Sequence, residues 1–101
     1  MEERRLMSDF AIKQRLNRAI KSAIKLLDQP PGSYEIILLN NHVFHIEAIR
    51  KKEIRKIRVV LDEITEEDEK MVREFSLPEI CTKEIWAKKE RGRGFEIKEI
   101  I

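Results

Sequence analysis

The spacing of the apolar residues changes once along this chain, and that change restricts the fold more than any other feature. Ile12, Leu16, Ala19, Ile20, Ala23, Ile24 and Leu27 recur at steps of three and four, the spacing of one face of an α-helix. Ser8 stands ahead of them as a candidate N-cap, leaving residues 1–7 as a flexible N-terminus, and Pro30-Pro31-Gly32 closes the helix. Beyond that break the period is two. Residues 34–39, 43–50 and 53–62 read as three strands joined at Asn40-Asn41 and Lys51-Lys52. Thr65-Glu66-Glu67-Asp68 is a near capping box for a second helix, with Met71, Val72 and Phe75 as its apolar stripe and Ser76-Leu77-Pro78 as its stop. Residues 81–88 and 95–101 read as two final strands around Arg91-Gly92-Arg93-Gly94. The expected order is α-β-β-β-α-β-β. This is an α+β chain in the manner of an α/β sandwich, with an antiparallel three-stranded meander, two helices and a C-terminal hairpin, folded as one domain over residues 1–101.

Composition narrows the function classes. One cysteine, Cys81, forbids an internal disulfide, and with only His42 and His45 beside it no structural zinc site can be built. The longest apolar runs, such as Ile36-Ile37-Leu38-Leu39, are four residues, too short for a bilayer-spanning helix. No apolar segment follows the charged N-terminus, so a cytoplasmic protein with no membrane partner is expected. No phosphate loop, dinucleotide fingerprint or nucleophile elbow is present, and no nucleotide cofactor is expected. The abundance of Lys, Glu and Ile suggests a heat-adapted source.

Polarity selects the hairpin registers. A two-residue Asn40-Asn41 loop would put Glu35 among Phe44 and Ile46. A three-residue loop ending at His42 instead gathers Tyr34, Ile36, Leu38, Phe44, Ile46 and Ala48 on one face. Burying an unpaired carboxylate costs several kcal/mol, so the three-residue loop is expected, with Glu35 opposite Glu47 and Ile37 opposite His45. With Lys51-Lys52 as the next loop, Glu47 faces Lys56 and His45 faces Arg58. A polar cluster of Glu35, Glu47, Lys56, His45 and Arg58 results. Two carboxylates can share a hard cation such as Mg²⁺ or Mn²⁺, which acidifies a bound water, while a lysine steadies the charge growing on a phosphoryl group. The same residues can equally form a cross-strand ion-pair ladder.

The element order and the segment from Glu35 to Ile49 resemble the PD-(D/E)xK nuclease superfamily, which includes Holliday-junction resolvases. Its core is a helix, a three-stranded meander, a second helix and a further strand. One acid opens the second core strand, and the next strand ends in an apolar residue followed by acid-x-lysine. The resemblance implies that Glu35 in Ser33-Tyr34-Glu35-Ile36 stands for the first metal-binding acid. It likewise implies that Glu47 in His45-Ile46-Glu47-Ala48-Ile49 stands for the second. Two departures accompany it. The first acid is Glu rather than Asp and does not directly follow a proline, and the lysine position is Ile49. Lys56 on the neighbouring strand is then the replacement for the catalytic lysine, or the site is inactive.

Charge is nearly balanced, with 21 basic and 19 acidic residues, but it is segregated. Residues 50–58 hold six basic residues and one acid, whereas residues 62–69 hold six acids and no base. Arg15, Arg18, Lys21 and Lys25 on the first helix form a candidate nucleic-acid surface. Arg50, Lys51, Lys52 and Arg58 on the meander, Arg91 and Arg93 in the last turn, and His45 complete it. Trp86 and Cys81 read as packing residues. Three functions follow: a metal-dependent nuclease using Glu35, Glu47 and Lys56; a non-catalytic nucleic-acid-binding module; or a structural, protein-interaction domain that forms a homodimer through the edge strand of its last hairpin.

Overall fold

A computed structural model describes residues 2–29, 34–89 and 94–101, with side chains from residue 9 onward. The element order is α1 (Glu2–Asp28), β1 (Glu35–Leu38), β2 (Ile46–Arg50), β3 (Glu53–Leu61), α2 (Glu66–Glu74), β4 (Cys81–Lys88) and β5 (Phe95–Ile100). The five strands form one sheet in chain order. β1, β2 and β3 are the expected antiparallel meander. The crossover through α2 then brings β4 in parallel to β3, and β5 returns antiparallel along β4. The chain is α+β, with helices on both faces of a mixed sheet.

Each helix closes a separate core. On one face Ala19, Ala23 and Leu27 of α1 pack on Ile46, Ala48, Ile57, Val59 and Trp86. The two alanines let helix and sheet approach closely. On the other face Val72 of α2 packs with Phe44, Val60, Ile85, Ala87 and Ile100. Phe44 meets Phe75 edge to face there, with centroids 5.2 Å apart. α2 is a full capping box: the Thr65 hydroxyl accepts from the Asp68 N–H, and the Asp68 carboxylate accepts from the Thr65 N–H. At its other end the Lys83 ammonium, on β4, donates to the carbonyls of Val72, Arg73 and Phe75 at 2.8–3.1 Å.

Four expectations are corrected. First, α1 begins at Glu2 rather than after Ser8, because Glu2 to Met7 are good helix formers with acids at the favoured end of the dipole. Second, Ile12 is 47% exposed. A 27-residue helix is roughly 40 Å long, and its buried side chains begin only at Ala19. Third, the β1–β2 register lies two residues beyond the expected one: Leu38 pairs with Ile46 and Ile36 with Ala48. The Asn41 side chain accepts from the N–H groups of Val43 and Phe44 at 2.8 and 2.6 Å, building a wider turn than the three-residue loop. A two-residue shift keeps every side chain on its face, so Ile36, Ile46 and Ala48 do share the α1 core.

Fourth, the ladder breaks at His45. Its N–H donates to the Ile57 carbonyl and its Nδ1 accepts from the Val59 N–H, both at 2.9 Å. The break rotates the chain, so Phe44 joins the α2 core instead of lying beside Ile46. The β2–β3 hairpin has the expected register, with Arg50 opposite Glu53 and Glu47 opposite Lys56. The Pro30-Pro31-Gly32 stop and the Arg91-Gly92-Arg93 turn lie outside the described residues.

Candidate functional site

The five-residue polar cluster divides into three. Glu47 and Lys56 are in contact as an ion pair, both side chains less than one-fifth exposed. Glu35 shares their face of the sheet but pairs with Ile49, whereas Glu47 pairs with Ile37. The two carboxylates therefore stand diagonally, two register positions apart, instead of opposite each other. Glu35 also opens the first strand of the sheet, where the nuclease resemblance places its first acid on the second.

Arg58 turns away toward α2. Its guanidinium bonds Asp68 at 3.0 Å and the carbonyls of His42 and Val43 at 3.1 Å. Burial raises the Asp68 pKa, but hydrogen bonds from Thr65 and Arg58 outweigh it and hold the carboxyl below its ordinary value. Arg58 thus ties the wide β1–β2 turn to the start of α2.

His45 lies on the α1 side. It lines a groove of about 300 Å³ with Asn17, Ile20, Lys21, Ile24, Leu38 and Leu39. Because Nδ1 accepts from the backbone, the neutral ring carries its proton on Nε2. Burial, with Arg58 adding to it, lowers the His45 pKa, in keeping with a ring that must stay neutral to accept that bond.

The most completely bonded acid is one the polarity argument passed over. Glu84 on β4 is 5% exposed. Arg55 donates to it from two nitrogens at 2.6 and 2.7 Å, Trp86 Nε1–H at 3.0 Å and Thr82 at 3.2 Å. Burial raises the Glu84 pKa, but the Arg55 and Trp86 bonds dominate and the net shift is downward. The same bond to Glu84 raises the Arg55 pKa. Arg55 also lies over the Tyr34 and Trp86 rings, with Arg50 over Tyr34 at 4.5 Å, and the Tyr34 hydroxyl donates to Glu53 at 3.0 Å. Alternation along residues 81–88 marks Glu84 as sharing a face with Trp86, a signal available in the sequence. Its partner Arg55 was hidden by the unknown strand order. The Glu84 carboxylate thus has four donors on its two oxygens, all from within the chain.

The basic residues fall into separate groups. Arg15 and Arg18 of α1 line a groove of about 290 Å³ with Ala19, Ser22, Leu61, Lys88 and Lys89. The groove runs where α1 passes the carboxyl ends of the parallel strands β3 and β4. The ends of β3 and β4 are pinned by the Asp62 N–H donating to the Lys88 carbonyl at 2.8 Å, with Asp62 at a positive φ of 68°. Arg15 is oriented by Asp62 at 3.2 Å and Lys89 by Glu96 at 3.9 Å. Lys88 extends over the Phe95 ring. Lys21 faces the His45 groove, and Lys25 is exposed in the last turn of α1. Arg50, Lys51 and Lys52 sit at the β2–β3 turn, at the far end of β3 and roughly 25 Å along it. Lys88 and Lys89, part of the basic run from Lys83 to Arg93 that the sequence offers as a phosphate-tracking stretch, are the members of that run that line the groove. Arg91 and Arg93 lie outside the described residues. No group of three or more His, Cys, Asp or Glu side chains that could hold a metal ion occurs among the described residues. No family model, curated protein or solved structure significantly matches the chain.

Proposed function

We propose that this chain binds the phosphate backbone of nucleic acid, without catalysis, in the groove between α1 and the carboxyl ends of β3 and β4. One observation carries the reading: Arg15, Arg18, Lys88 and Lys89 line a single cleft with Ser22 as a neutral donor. Loops beyond the carboxyl ends of parallel strands are the common place for ligands in open α/β sheets. Arginine suits phosphate through its planar fork of donors. Arg18 has no carboxylate partner among the described residues, so its donors are available. Arg91 and Arg93 follow Lys89 closely in the sequence and add basic character to that stretch of chain.

The test is fluorescence anisotropy with labelled single-stranded DNA, duplex DNA and RNA, each at several salt concentrations. The expected result is binding that weakens linearly in log–log form with salt. The Arg18→Glu/Lys89→Glu variant should bind at least tenfold more weakly with an unchanged far-ultraviolet circular dichroism spectrum. Salt-insensitive binding, or equal affinity of parent and variant, would reject the groove.

A second reading is metal-dependent cleavage. It is supported by Glu47 and Lys56 being in contact on a sheet face that also carries Glu35. The donor set does not fit a divalent ion as it stands, because Lys56 holds Glu47 and Glu35 is out of step. Cleavage of the same probes in Mg²⁺ or Mn²⁺ that Glu47→Ala abolishes would promote this reading over the first.

A further inference from the structure

β5 is an edge strand, with β4 on one side and, among the described residues, no strand on the other. Its sequence, Phe95-Glu96-Ile97-Lys98-Glu99-Ile100, sets Glu96 and Lys98 symmetrically about Ile97. We propose that two copies of this chain pair β5 to β5, antiparallel, about a two-fold axis at Ile97, joining their sheets into one of ten strands.

In that register Ile97 meets its own copy. Glu96 meets Lys98 and Lys98 meets Glu96, which makes two symmetry-related ion pairs. Ile97 is 51% exposed in the single chain. It lies opposite Trp86 in the β4 ladder, so its burial would extend the α1-side core across the axis. Glu96 and Lys98 lie on the other face, where Lys98 already meets Glu69 of α2 at 2.9 Å and Glu96 lies 3.9 Å from Lys89, while the exposed Glu99 shares the Ile97 face and meets the partner's Phe95. The partner's Glu96 would become the second acid on Lys98.

The alternatives that keep the same faces are disfavoured by charge. Sliding β5 by one residue in each copy puts Glu96 against Glu96 or Lys98 against Lys98 on the axis, and like charges directly opposite destabilise a sheet. The other edge offers no such match. β1 has four residues, Glu35-Ile36-Ile37-Leu38, with no cation to answer Glu35. Unpaired backbone donors and acceptors on an edge invite pairing, and only β5 combines them with complementary charge and an exposed isoleucine at the centre.

Sedimentation equilibrium of the full chain across a hundredfold concentration range tests the pairing. The parent is expected to approach twice its 12.1 kDa mass. Glu96→Lys and Lys98→Glu, each alone, should raise the dimer dissociation constant by about tenfold or more. The double swap should restore it. All four side chains at issue are on the surface, and circular dichroism confirms that each variant folds. A monomeric parent at every concentration overturns the proposal. So does a dimer whose dissociation constant is unmoved by both single swaps, or a double swap no tighter than either.

Discussion

Strand β3 carries an ion pair on each face, and the two differ in nearly every respect. On the α1 side Arg55 binds Glu84 through two nitrogens, while Trp86 and Thr82 occupy the remaining carboxylate positions. On the α2 side Lys56 meets Glu47 alone, and Ile37 beside them remains 40% exposed because α2 packs mainly on β4 and β5 and leaves β1 uncovered. The first pair has every lone pair committed and is part of the core. The second retains unused acceptor capacity. The number of donors on the carboxylate, four on Glu84 against one lysine on Glu47, therefore separates the two acids, although both are glutamates beside a basic residue of the same strand.

The contrast can be broken most severely at Glu84. Glu84→Ala leaves Arg55 without its counter-charge and the Trp86 N–H without an acceptor. Losing one partner of a buried pair costs about 3–5 kcal/mol. Urea denaturation should show that loss, and a cost below about 1 kcal/mol would erase the distinction between the faces. Replacing both members, as Arg55→Met with Glu84→Leu, should recover most of the stability, since it removes the uncompensated charge.

Acid should act next. Glu84 and Asp68 both have folded pKa values below their ordinary ones. Their unfolded forms therefore take up protons first as pH falls. Their contribution is complete above the unfolded carboxylate value near pH 4.5 and is lost as pH drops through the lower folded values. Denaturation midpoints measured from pH 7 to pH 2.5 should fall below pH 4.5, and Glu84→Gln should flatten that dependence. A profile unchanged by the substitution would remove Glu84 from the explanation. The smallest effect belongs to the other face, where Lys56→Ala strands one largely buried carboxylate and should cost about 1–3 kcal/mol. A loss matching that of Glu84→Ala would make the two pairs equivalent.

The seven elements were legible in the sequence because each has a clean period and strong stops; residues 81–88 were bounded to the residue. The β2–β3 register was legible as well, since Lys51-Lys52 leaves one pairing that keeps Ile46 against Ile57. What escaped was set by side chains bonding to backbone. Asn41 widens one turn and His45 substitutes its ring for a ladder carbonyl. Neither device leaves a periodic trace, and together they dispersed the five-residue polar cluster. The Arg55–Glu84 pair was illegible for a different reason. Its residues are 29 apart, and they meet only because the crossover lays β4 parallel to β3.

Lys83 gives that crossover a mechanical consequence. One ammonium group on β4 satisfies three carbonyls at the end of α2. A nine-residue helix is marginal by itself, so its final turn is completed only when β4 is docked. The amides of α2 and β4 should therefore open to solvent together, as one exchange unit. The meander, held by its own hairpin, is free to open at a different rate.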